Sequence, residues 1–395
     1  MNQTLINKKH ILHLPKWYPH PADVQNGVFI KKHIEAAAEK FDCSVVFATS
    51  ARQKENYNIE SKIEENVFTV KVFFKEFEQR NILKPVIHTF QYLAAMRKGM
   101  NLAKKQFGKP ALIHAHVVLR TAILALIYAF IHHIPFIITE HWSGFMNGNF
   151  QRKNPVYRKL VIFVLKRAAK IIVVSNILKE SLIRIGIEAS KIAVIPNIVD
   201  ALPQAESRRI ESENQKLIFI SVADLVDDIK NISDVIKTVA EIPANDDFEY
   251  WIVGDGVDKE KLVRLAENFG LLNKQVFFLG RKTNHEVLEI INEAAFLVLN
   301  SLTETFSVVT AEALLAGKPV IATRCGGPEV FVNESNGILI EPGNRKELKA
   351  AIIKMMDTCK SYNPEILKNS ISKKYGREVV SKEILSIYDE VFNRK

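Results

Sequence analysis

AAFLVLNSLTETFSVVTAEALLAGKPVIATR, residues 294–324, is the stretch that decides the fold. The apolar run AAFLVLNS predicts a strand that ends near Asn300, and KPVIATR predicts another strand. Between them SVVTAEALLAG predicts a helix, which Gly317 ends by adopting a left-handed conformation. A strand, a helix and a strand in this order are typical of a parallel βαβ unit, so the stretch predicts an α/β fold.

Runs of the same kind occur along the whole chain. The strand-like segments are HILHL, CSVVFAT, NVFTVKVFF, ALIHAH, PFIITE, KIIVVS and KIAVIPN in the first half, and KLIFISVA, DFEYWIVGDG, QVFFLGR, AAFLVLNS, KPVIATR and GILIEP in the second. Most of them are apolar without alternation, as strands buried on both faces are. Helix-length patterns such as GVFIKKHIEAAAEKF and VYRKLVIFVLKRAA separate them. The chain is therefore predicted to form two doubly wound Rossmann-like domains.

Chain length and one polar segment predict where the domains divide. A single hydrophobic core rarely organises as many as 395 residues. Residues 199–215, VDALPQAESRRIESENQ, are polar and lack apolar periodicity, which is typical of a linker. We expect a first domain at 1–200, a second at 201–375 that faces the first across a cleft, and a helix at 376–395. The apolar spacing of that helix fits packing on the second domain and a return to the first equally well.

Cysteine usage and hydropathy narrow the class of protein. Cys43, Cys325 and Cys359 lie far apart and in no metal or redox spacing, which predicts buried thiols in a reducing cytoplasm. No signal peptide is apparent at the N-terminus. The apolar run at 121–139 is interrupted by two histidines and a proline, so it predicts a buried helix followed by a buried strand instead of a membrane span.

Positive charge is concentrated in the first half of the chain. Residues 1–200 contain 29 Lys and Arg against 14 Asp and Glu, whereas the remainder contains 25 against 30. This asymmetry predicts that the first half faces an anionic partner: a nucleic acid, an anionic membrane surface or a phosphorylated substrate. Residues 80–109 combine seven Lys and Arg with aromatic and aliphatic residues and contain no acid. They predict either an interfacial helix on the inner face of a membrane or a core-facing helix with a solvated basic edge.

The SLTET loop between the strand and the helix of residues 294–324 predicts a ligand site. Ligands of doubly wound domains bind beyond the carboxyl ends of strands, where a helix N-terminus offers unpaired N–H groups. Thr305, Phe306 and Ser307 are therefore predicted to present an anion cradle. Glu304 and Glu312 flank it, and each carboxylate can accept two hydroxyl hydrogen bonds, as a sugar or ribose diol requires. The alternatives are a helix-capping role for Glu304 and a solvated helix face for Glu312.

At this point the sequence resembles a known family. TETFSVVTAEALLAGKPVIATRCGGPEVF is similar to the signature of the family 4 retaining glycosyltransferases, which have two domains in the GT-B fold. The resemblance extends to WIVGDGVDKEKL, VFFLGRKTNHEVLEIINEAAFLVLNS and AAKIIVVSNILKESLIRIGIEASKIAVIPNIVD, and it covers nearly the whole chain. It implies transfer of a sugar from a nucleoside-diphosphate donor to a glycan or a polyprenyl-diphosphate-linked acceptor, in surface polysaccharide or glycoconjugate synthesis.

The resemblance implies roles for residues of the second domain. Lys230 would pair with the diphosphate as it leaves, and Glu304 would hold hydroxyls of the transferred sugar. Glu312 would hold the ribose hydroxyls, and Arg281 would lie near the base. The loop that cradles the diphosphate and the sugar would be formed by Thr305 and by the backbone N–H groups of Phe306, Ser307 and Val308.

Two residues of the first domain match the family as well. His141, in ITEHWSG, would lie beside the donor sugar, and Gly27 would open the first helix where the backbone approaches the diphosphate closely. The family implies a front-face attack in which the departing phosphate oxygen takes the proton of the acceptor. Since no Asp-X-Asp metal site is apparent, we expect transfer without a metal or another cofactor.

Three positions depart from the family pattern. Asp224 stands where the family has an arginine that grips the diphosphate, and a like charge at that place would repel it. We expect that Arg281 or Arg324 substitutes for the missing cation, that Asp224 turns away, or that activity is weak. Ile198 and Ser307 replace glycines of the family.

These departures leave a second function open, a nucleotide-sugar-binding subunit with little or no turnover. Nucleic-acid binding is disfavoured for two reasons. The second half of the chain is acidic, and the aromatic residues of the chain are not interleaved with basic ones as they are in nucleic-acid-binding modules. A sugar-nucleotide 2-epimerase is disfavoured because the carboxylates and histidines that it requires are not found.

Overall fold

A computed structural model describes residues 8–76, 84–200, 216–243 and 247–393. It divides into two compact units, the first formed by residues up to Ile195 together with Ser381 onward, and the second by Pro196–Val380. Most of the predicted linker, from 201 to 215, lies outside the described residues.

The first unit is built on an α/β sheet. Its strands are β1 (His10–Pro15), β2 (Asp42–Ala51), β3 (Tyr57–Glu64), β4 (Val67–Lys75), β5 (Leu112–His116), β6 (Phe136–Glu140), β7 (Lys170–Val173) and β8 (Ile192–Val194). In the described part of the chain they form one sheet in the order β3-β4-β2-β1-β5-β6-β7-β8. Neighbouring strands are parallel except β3 and β4, which are antiparallel. This is the doubly wound arrangement that the sequence predicts.

Helices connect these strands across both faces of the sheet. They are α1 (Val28–Ala38), α2 (Lys84–Phe107), α3 (Arg120–His132), α4 (Pro155–Arg167) and α5 (Asn176–Arg184). The chain moves across the sheet in one direction from β4 through β5 and β6 to β7, and in the other direction from β1 to β2. Since connections between parallel strands are right-handed, α2, α3 and α4 lie on one face and α1 lies on the other.

The apolar run at 121–139 forms α3 and β6, in the predicted order. β6 is buried throughout. α3 packs through its small residues, among them Ala122, Ala125 and Ala129, whereas Phe130 is 79% exposed. The expectation of a buried helix is therefore met on one side only, because a helix in the outer layer of the sheet exposes its other side. Among the described residues, no helix combines the length and the apolar character needed to cross a bilayer.

The second unit is a parallel α/β sheet. Its strands are β9 (Leu217–Val222), β10 (Phe248–Val253), β11 (Val276–Gly280), β12 (Phe296–Leu299), β13 (Val320–Thr323) and β14 (Gly337–Ile340). Its helices are α6 (Asp227–Lys230), α7 (Ile232–Ala240), α8 (Lys259–Asn268), α9 (Asn284–Glu293), α10 (Val308–Leu315), α11 (Arg345–Thr358) and α12 (Pro364–Tyr375). Within the described residues the strand order is β11-β10-β9-β12-β13-β14. Residues 294–324 form β12, α10 and β13, and Gly317 has a φ of +78° just beyond α10, as predicted.

The last helix, α13 (Arg377–Asn393), joins the first unit from Ser381 onward. There the Tyr388 hydroxyl lies 2.7 Å from His114 Nδ1, and Lys40 donates to the Asp389 carboxylate at 2.7 Å. Val380, Ile384 and Val391, whose helical spacing predicted this helix, are buried. Of the two placements that the sequence left open, the structure has the return to the first domain.

The three cysteines are buried, free thiols, as the sequence predicts.

Candidate functional site

Two hydrogen bonds hold the SLTET loop against the end of α6 and the turn that follows it. The Leu302 N–H donates to the Ile229 carbonyl at 2.7 Å, and the Asn300 amide donates to the Asn231 carbonyl at 3.0 Å. These bonds join the loop that follows β12 to the turn between α6 and α7. The two loops lie at the carboxyl ends of neighbouring strands, β9 and β12, where ligands of parallel sheets bind.

The turn carries Lys230 at the end of α6, and the loop carries Glu304. Lys230 Nζ donates to Glu304 Oε1 at 2.5 Å, and Ser301 Oγ donates to the same oxygen at 2.8 Å. The side chains of the pair are 23% and 13% exposed. The Glu304 side chain points at the lysine, and Ser307, not Glu304, occupies the position just before the first turn of α10. The capping alternative for Glu304 is therefore excluded, and a cation and a carboxylate share one place at the edge of the sheet.

The pKa of Lys230 is raised. Burial alone would lower it, but the charge of Glu304 and the hydrogen bond to it, together with the charge of Asp224, outweigh burial. Lys230 is thus a fixed positive charge at neutral pH. Such a charge can stabilise a developing anion without moving.

The N-terminus of α10 is suited to an anion. In the part of the chain that the structure describes, no side chain caps its first turn, so its N–H groups remain available to a ligand. Ser307 has a φ of +67°, in the left-handed region, which explains why the family has a glycine there. The Phe306 ring is 1% exposed and packs against Phe331 and Tyr375, so it fixes the loop to the core.

The glycine pair in CGGP allows a second backbone to approach this loop. Glu304 donates its N–H to the Cys325 carbonyl at 3.0 Å and accepts from the Gly327 N–H at 2.9 Å. A Cβ at Gly327 would lie 2.5 Å from the Phe306 Cα, which no side chain tolerates. The run of glycines therefore sets the position of Glu304.

Glu312 is only 4% exposed, although it lies on a helix. Its Oε1 accepts a hydrogen bond from the Asn284 amide at 3.4 Å. The alternative of a solvated helix face for Glu312 is therefore excluded, because this face of α10 is covered by the start of α9. Glu312 thereby lies next to the segment that follows β11 and carries Arg281.

Asp224 forms an ion pair with Arg281, whose Nη2 lies 3.5 Å from Asp224 Oδ1. The aspartate side chain is 72% exposed, and Arg324, the other candidate cation, pairs with Glu341 at 3.3 Å. A Cβ at Gly254 would lie 1.8 Å from the Ala223 carbonyl oxygen, so the segment before Asp224 is tightly packed. Of the cations that could substitute for the missing arginine, the structure brings Arg281 to Asp224.

The first unit contains the other two predicted site residues. His141 follows β6 and is 6% exposed, and within the described residues neither of its ring nitrogens has a hydrogen-bond partner. Gly27 precedes α1 with a φ of +69°, and a Cβ there would lie 2.4 Å from the Trp17 carbonyl oxygen. Phe29, in the first turn of α1, has its ring centroid 4.8 Å from that of His141. The structure therefore brings the helix that Gly27 opens against His141.

Glu140 is a residue of this region that sequence reasoning missed. Its carboxylate accepts from the backbone N–H groups of Val118 at 2.9 Å and of His141 and Trp142 at 2.8 Å. Burial raises its pKa to about 7, although the three hydrogen bonds oppose this shift. Glu140 fixes the turn that carries His141. A charged residue at the end of an otherwise apolar strand was the signal that could have found it.

Three further histidines lie side by side in the core of the first unit. His13 on β1 pairs in register with His114 on β5, and the ligand atoms of these two and of His116 all lie within 4.8 Å of one another. His13 Nδ1 lies 3.2 Å from His116 Nε2, and both nitrogens of His114 are bonded, to Tyr388 and Thr139. A metal held by all three histidines would have to displace Tyr388 or Thr139 from His114, so the geometry favours a network of neutral histidines. Burial lowers the pKa of each.

Comparison with known proteins agrees with this architecture. The profile of the family described as glycosyl transferases group 1 matches residues 203–369, and the profile of glycosyltransferase family 4 matches residues 28–201. An uncharacterized glycosyltransferase of Methanocaldococcus jannaschii is 32% identical over 41% of this chain and 45% of its own length. A component of the phosphatidylinositol N-acetylglucosaminyltransferase of Arabidopsis thaliana is 27% identical over 71% of this chain and 62% of its own length. The match thus spans about half of the length of these curated relatives.

Solved structures match nearly the whole chain. Sucrose-phosphate synthase from Thermosynechococcus elongatus superimposes with a TM-score of 0.77 at 18% identity, over 98% of this chain and all of that one. The Anabaena protein HepE, solved with UDP and glucose, superimposes with a TM-score of 0.72 at 17% identity, over 97% of this chain. These likenesses confirm the predicted two-domain α/β fold. The two profile matches, which together extend over most of the chain, show that it belongs to the family 4 glycosyltransferases.

Proposed function

We propose that this protein is a retaining glycosyltransferase that moves a sugar from a nucleoside-diphosphate donor to a glycan or a polyprenyl-diphosphate-linked acceptor. The observation that carries the proposal is the ion pair of Lys230 and Glu304, which lies beside the uncapped N-terminus of α10. A fixed cation, free N–H groups and a carboxylate in one place complement a sugar linked to a diphosphate. The buried carboxylate of Glu312, on the same helix, supplies a further acceptor for the hydroxyls of the nucleoside.

The arrangement supports the following roles for these groups. The N–H groups at the start of α10 bind the diphosphate, and Lys230 neutralises the charge that develops on its terminal oxygen as the bond to the anomeric carbon breaks. The acceptor hydroxyl attacks that carbon from the same face, and its proton passes to the departing phosphate oxygen. Glu304 holds hydroxyls of the sugar while Lys230 lies against the same carboxylate.

His141 and Gly27 of the first domain are proposed to contact the donor as well, as the resemblance to the family implies. The ring of His141 is neutral at physiological pH, because burial lowers its pKa well below the usual value, and its unpartnered nitrogens can bond hydroxyls of the sugar. Gly27 is proposed to bring the backbone at the start of α1 to the diphosphate, and its missing side chain lets the Trp17 carbonyl pack against that backbone. Arg281, which pairs with Asp224, is proposed to lie near the base.

The transfer is proposed to proceed without a metal ion. The basis is the chemistry of the donor set, in which a lysine and helix N–H groups supply the positive charge that Mg²⁺ supplies in other transferases. Undiminished transfer in excess EDTA is the expected result, and full loss of activity that Mg²⁺ restores would contradict it.

The proposed substrates follow from chemistry shared with relatives. HepE was solved with UDP-glucose, which supports a nucleotide-sugar donor, and the Arabidopsis relative carries phosphatidylinositol in its name, which supports a lipid acceptor. A lipopolysaccharide core glycosyltransferase of Rhizobium meliloti is 31% identical over 42% of this chain. We place the protein in polysaccharide or glycoconjugate synthesis, with its basic first half toward an anionic membrane on the cytoplasmic side.

The experiment that tests the proposal determines the anomeric configuration of the transferred sugar. The protein is incubated with a nucleotide sugar that binds it and with a panel of lipid-linked and soluble glycan acceptors, and the product is analysed by NMR. The expected product keeps the anomeric configuration of the donor. A product of inverted configuration would overturn the retaining mechanism.

A second function is favoured by one observation, the aspartate at position 224. A nucleotide-sugar-binding subunit without turnover would tolerate a carboxylate where an active transferase of the family has an arginine. Saturable donor binding with neither transfer nor donor hydrolysis, across the whole acceptor panel, would favour this function over the enzyme.

A further inference from the structure

Three neighbouring helices of the first unit expose large apolar side chains. On α3 these are Ile127, Phe130 and Ile131, on α4 Val156, Leu160 and Phe163, and on α2 Val86, Phe90 and Leu93. Phe130 and Val156 are 79% and 76% exposed, and Phe90 is 68% exposed. In a helix whose apolar residues all pack against the core, these side chains would be buried.

The exposed apolar residues of α4 follow one stripe. Val156, Leu160 and Phe163 are spaced at i, i+4 and i+7, which places them on the same side of the helix. Lys159 and Lys166 are exposed on the adjoining positions, and the Arg167 guanidinium lies 5.0 Å from the centroid of the Phe163 ring. A stripe of apolar residues edged by cations is the pattern of a helix that lies in a membrane interface.

Acidic residues are missing from this part of the sequence. Between residues 79 and 179 there is one, Glu140, and it is buried. The same span contains exposed cations on α2 and α4, which include Arg97, Lys98, Lys104, Lys105, Lys159, Lys166 and Arg167. The charge of this surface therefore complements an anionic partner, with no acid to repel it.

The three helices form one continuous layer. α2, α3 and α4 lie on the same face of the sheet, as the direction of the strand connections requires, and α3 packs against α4. On the other flank Arg120 of α3 lies 3.3 Å from His88 of α2 and 5.8 Å from the centroid of the Tyr92 ring. The exposed sides of the three helices consequently point away from the sheet together.

We infer that this layer, the outer sides of α2, α3 and α4, is the surface by which the protein docks on an anionic lipid bilayer, with Phe90, Phe130 and Phe163 entering the headgroup region. The inference deepens the proposed function, on which the need for a lipid-linked acceptor rests. It places the contact on three helices, whereas the sequence pointed to the basic first half as a whole and, within it, to residues 80–109.

Two features select a bilayer over a protein partner. The exposed apolar residues are spread over three helices, which is broader than the surface that a single partner helix or strand would cover. Exposed cations lie on α2 and α4 beside them, so a planar anionic surface can satisfy both at once, with the aliphatic stems of the lysines lying along the headgroups. A second copy of the chain would bring two basic surfaces together, and like charges would oppose that contact.

The test is flotation of the full chain with vesicles of phosphatidylglycerol and phosphatidylcholine, without donor or acceptor. Wild type is expected to float with these vesicles and to remain unbound with phosphatidylcholine alone. The Phe130→Asp/Phe163→Asp variant and the Lys159→Glu/Lys166→Glu variant are each expected to lose at least about tenfold in vesicle affinity. All four positions are exposed, so neither variant disturbs the core.

Matched controls separate the surface from general charge and folding effects. Val257→Asp changes an apolar residue of the second unit that is 86% exposed, and Lys346→Glu/Lys373→Glu makes the same charge change on that unit. These controls are expected to bind vesicles like wild type. Thermal melts confirm that every variant is folded.

Three results would overturn the inference: absence of binding to the anionic vesicles, undiminished binding of both layer variants, or a solution dimer that these variants dissociate. Because no nucleotide sugar is present, a failure of flotation leaves the donor site untouched. A protein that floats as expected but binds no nucleotide sugar would instead refute the proposed function and keep the membrane surface.

Discussion

Lys230 Nζ lies 2.5 Å from Glu304 Oε1. The two residues are 74 positions apart in the sequence, and the hydrogen bonds between the SLTET loop and the turn after α6 bring them together. The cation proposed for the leaving group is thus paired with the carboxylate proposed for the sugar. A change in either residue is therefore expected to alter how the other one contacts the donor.

Replacing Lys230 tests the charge on the leaving group. Lys230→Ala should lower the turnover number by on the order of a hundredfold or more, since it removes an electrostatic stabiliser of the developing diphosphate charge. Steady-state transfer kinetics measure the effect. Lys261→Ala, which removes a 60% exposed lysine of the same unit, is the control and should leave turnover unchanged. Wild-type turnover in Lys230→Ala would refute the role.

Neutralising Asp224 tests how much this carboxylate weakens the binding of the donor diphosphate. A unit charge about 4 Å from another in water contributes about 1 kcal/mol, so Asp224→Asn should lower the donor Kd by up to about fivefold. Titration calorimetry with the preferred nucleotide sugar checks this. Weaker binding would show that Asp224 is needed to hold Arg281, with which it pairs at 3.5 Å.

The backbone at Ser307 gives a prediction on stability. Its φ of +67° is costly for a residue with a branched β-carbon, so Ser307→Val should lower the free energy of unfolding by about 1–2 kcal/mol. Ser307→Gly removes that strain and loses the contact with Thr310 Oγ1 at 2.7 Å, so its effect should be small. Denaturant unfolding ranks the two variants, and the reverse order would contradict the assignment of strain.

The buried histidines predict loss of stability in acid. Burial lowers the pKa of His13 to about 3, and it lowers the pKa of His114, His116 and His141 well below 6.5. Below pH 6.5 the unfolded chain therefore binds more protons than the folded one, and the free energy of unfolding should fall as pH decreases from 6.5 toward 3. Glu140, with its pKa raised to about 7, acts in the opposite direction and loses its contribution as pH rises toward 7.

Four imidazoles outweigh one carboxyl, so the net effect between pH 6.5 and 4.5 is destabilisation by acid. Thermal melts across this range measure it. The His13→Leu/His116→Leu variant should show a flatter dependence on pH, and His285→Gln, at an exposed histidine, should keep the wild-type slope. A steeper slope in the double variant would contradict the account.

Much of the fold could be predicted because the strands are apolar and short helices alternate with them. One strand was missed: β3 is an antiparallel edge strand with mostly exposed polar residues. Its apolar residues Tyr57, Ile59 and Ile63 do alternate, but the signal is weak beside the buried strands. The outer side of α3 was also missed, because an apolar helix gives no pattern that separates its buried side from its exposed one.

The candidate site shows a similar limit. The spacing of Glu304 and Glu312 predicted two carboxylates around a helix start, but only the fold shows that one faces a lysine and the other is buried. The histidine network depends on the register between β1 and β5, which no local pattern encodes. Glu140 was overlooked because its partners are backbone N–H groups, whose positions the sequence does not specify.

The measurement that tests the central claim most directly is the thermal stability of wild type and Lys230→Ala in a panel of UDP-, GDP- and ADP-sugars. At about 100 times its Kd, the true donor should add about 2.7 kcal/mol to the free energy of unfolding of the wild-type protein. The increase should be smaller in Lys230→Ala at the same concentration. If no nucleotide sugar in the panel stabilised the wild type, the SLTET loop and Lys230 would not be a donor site.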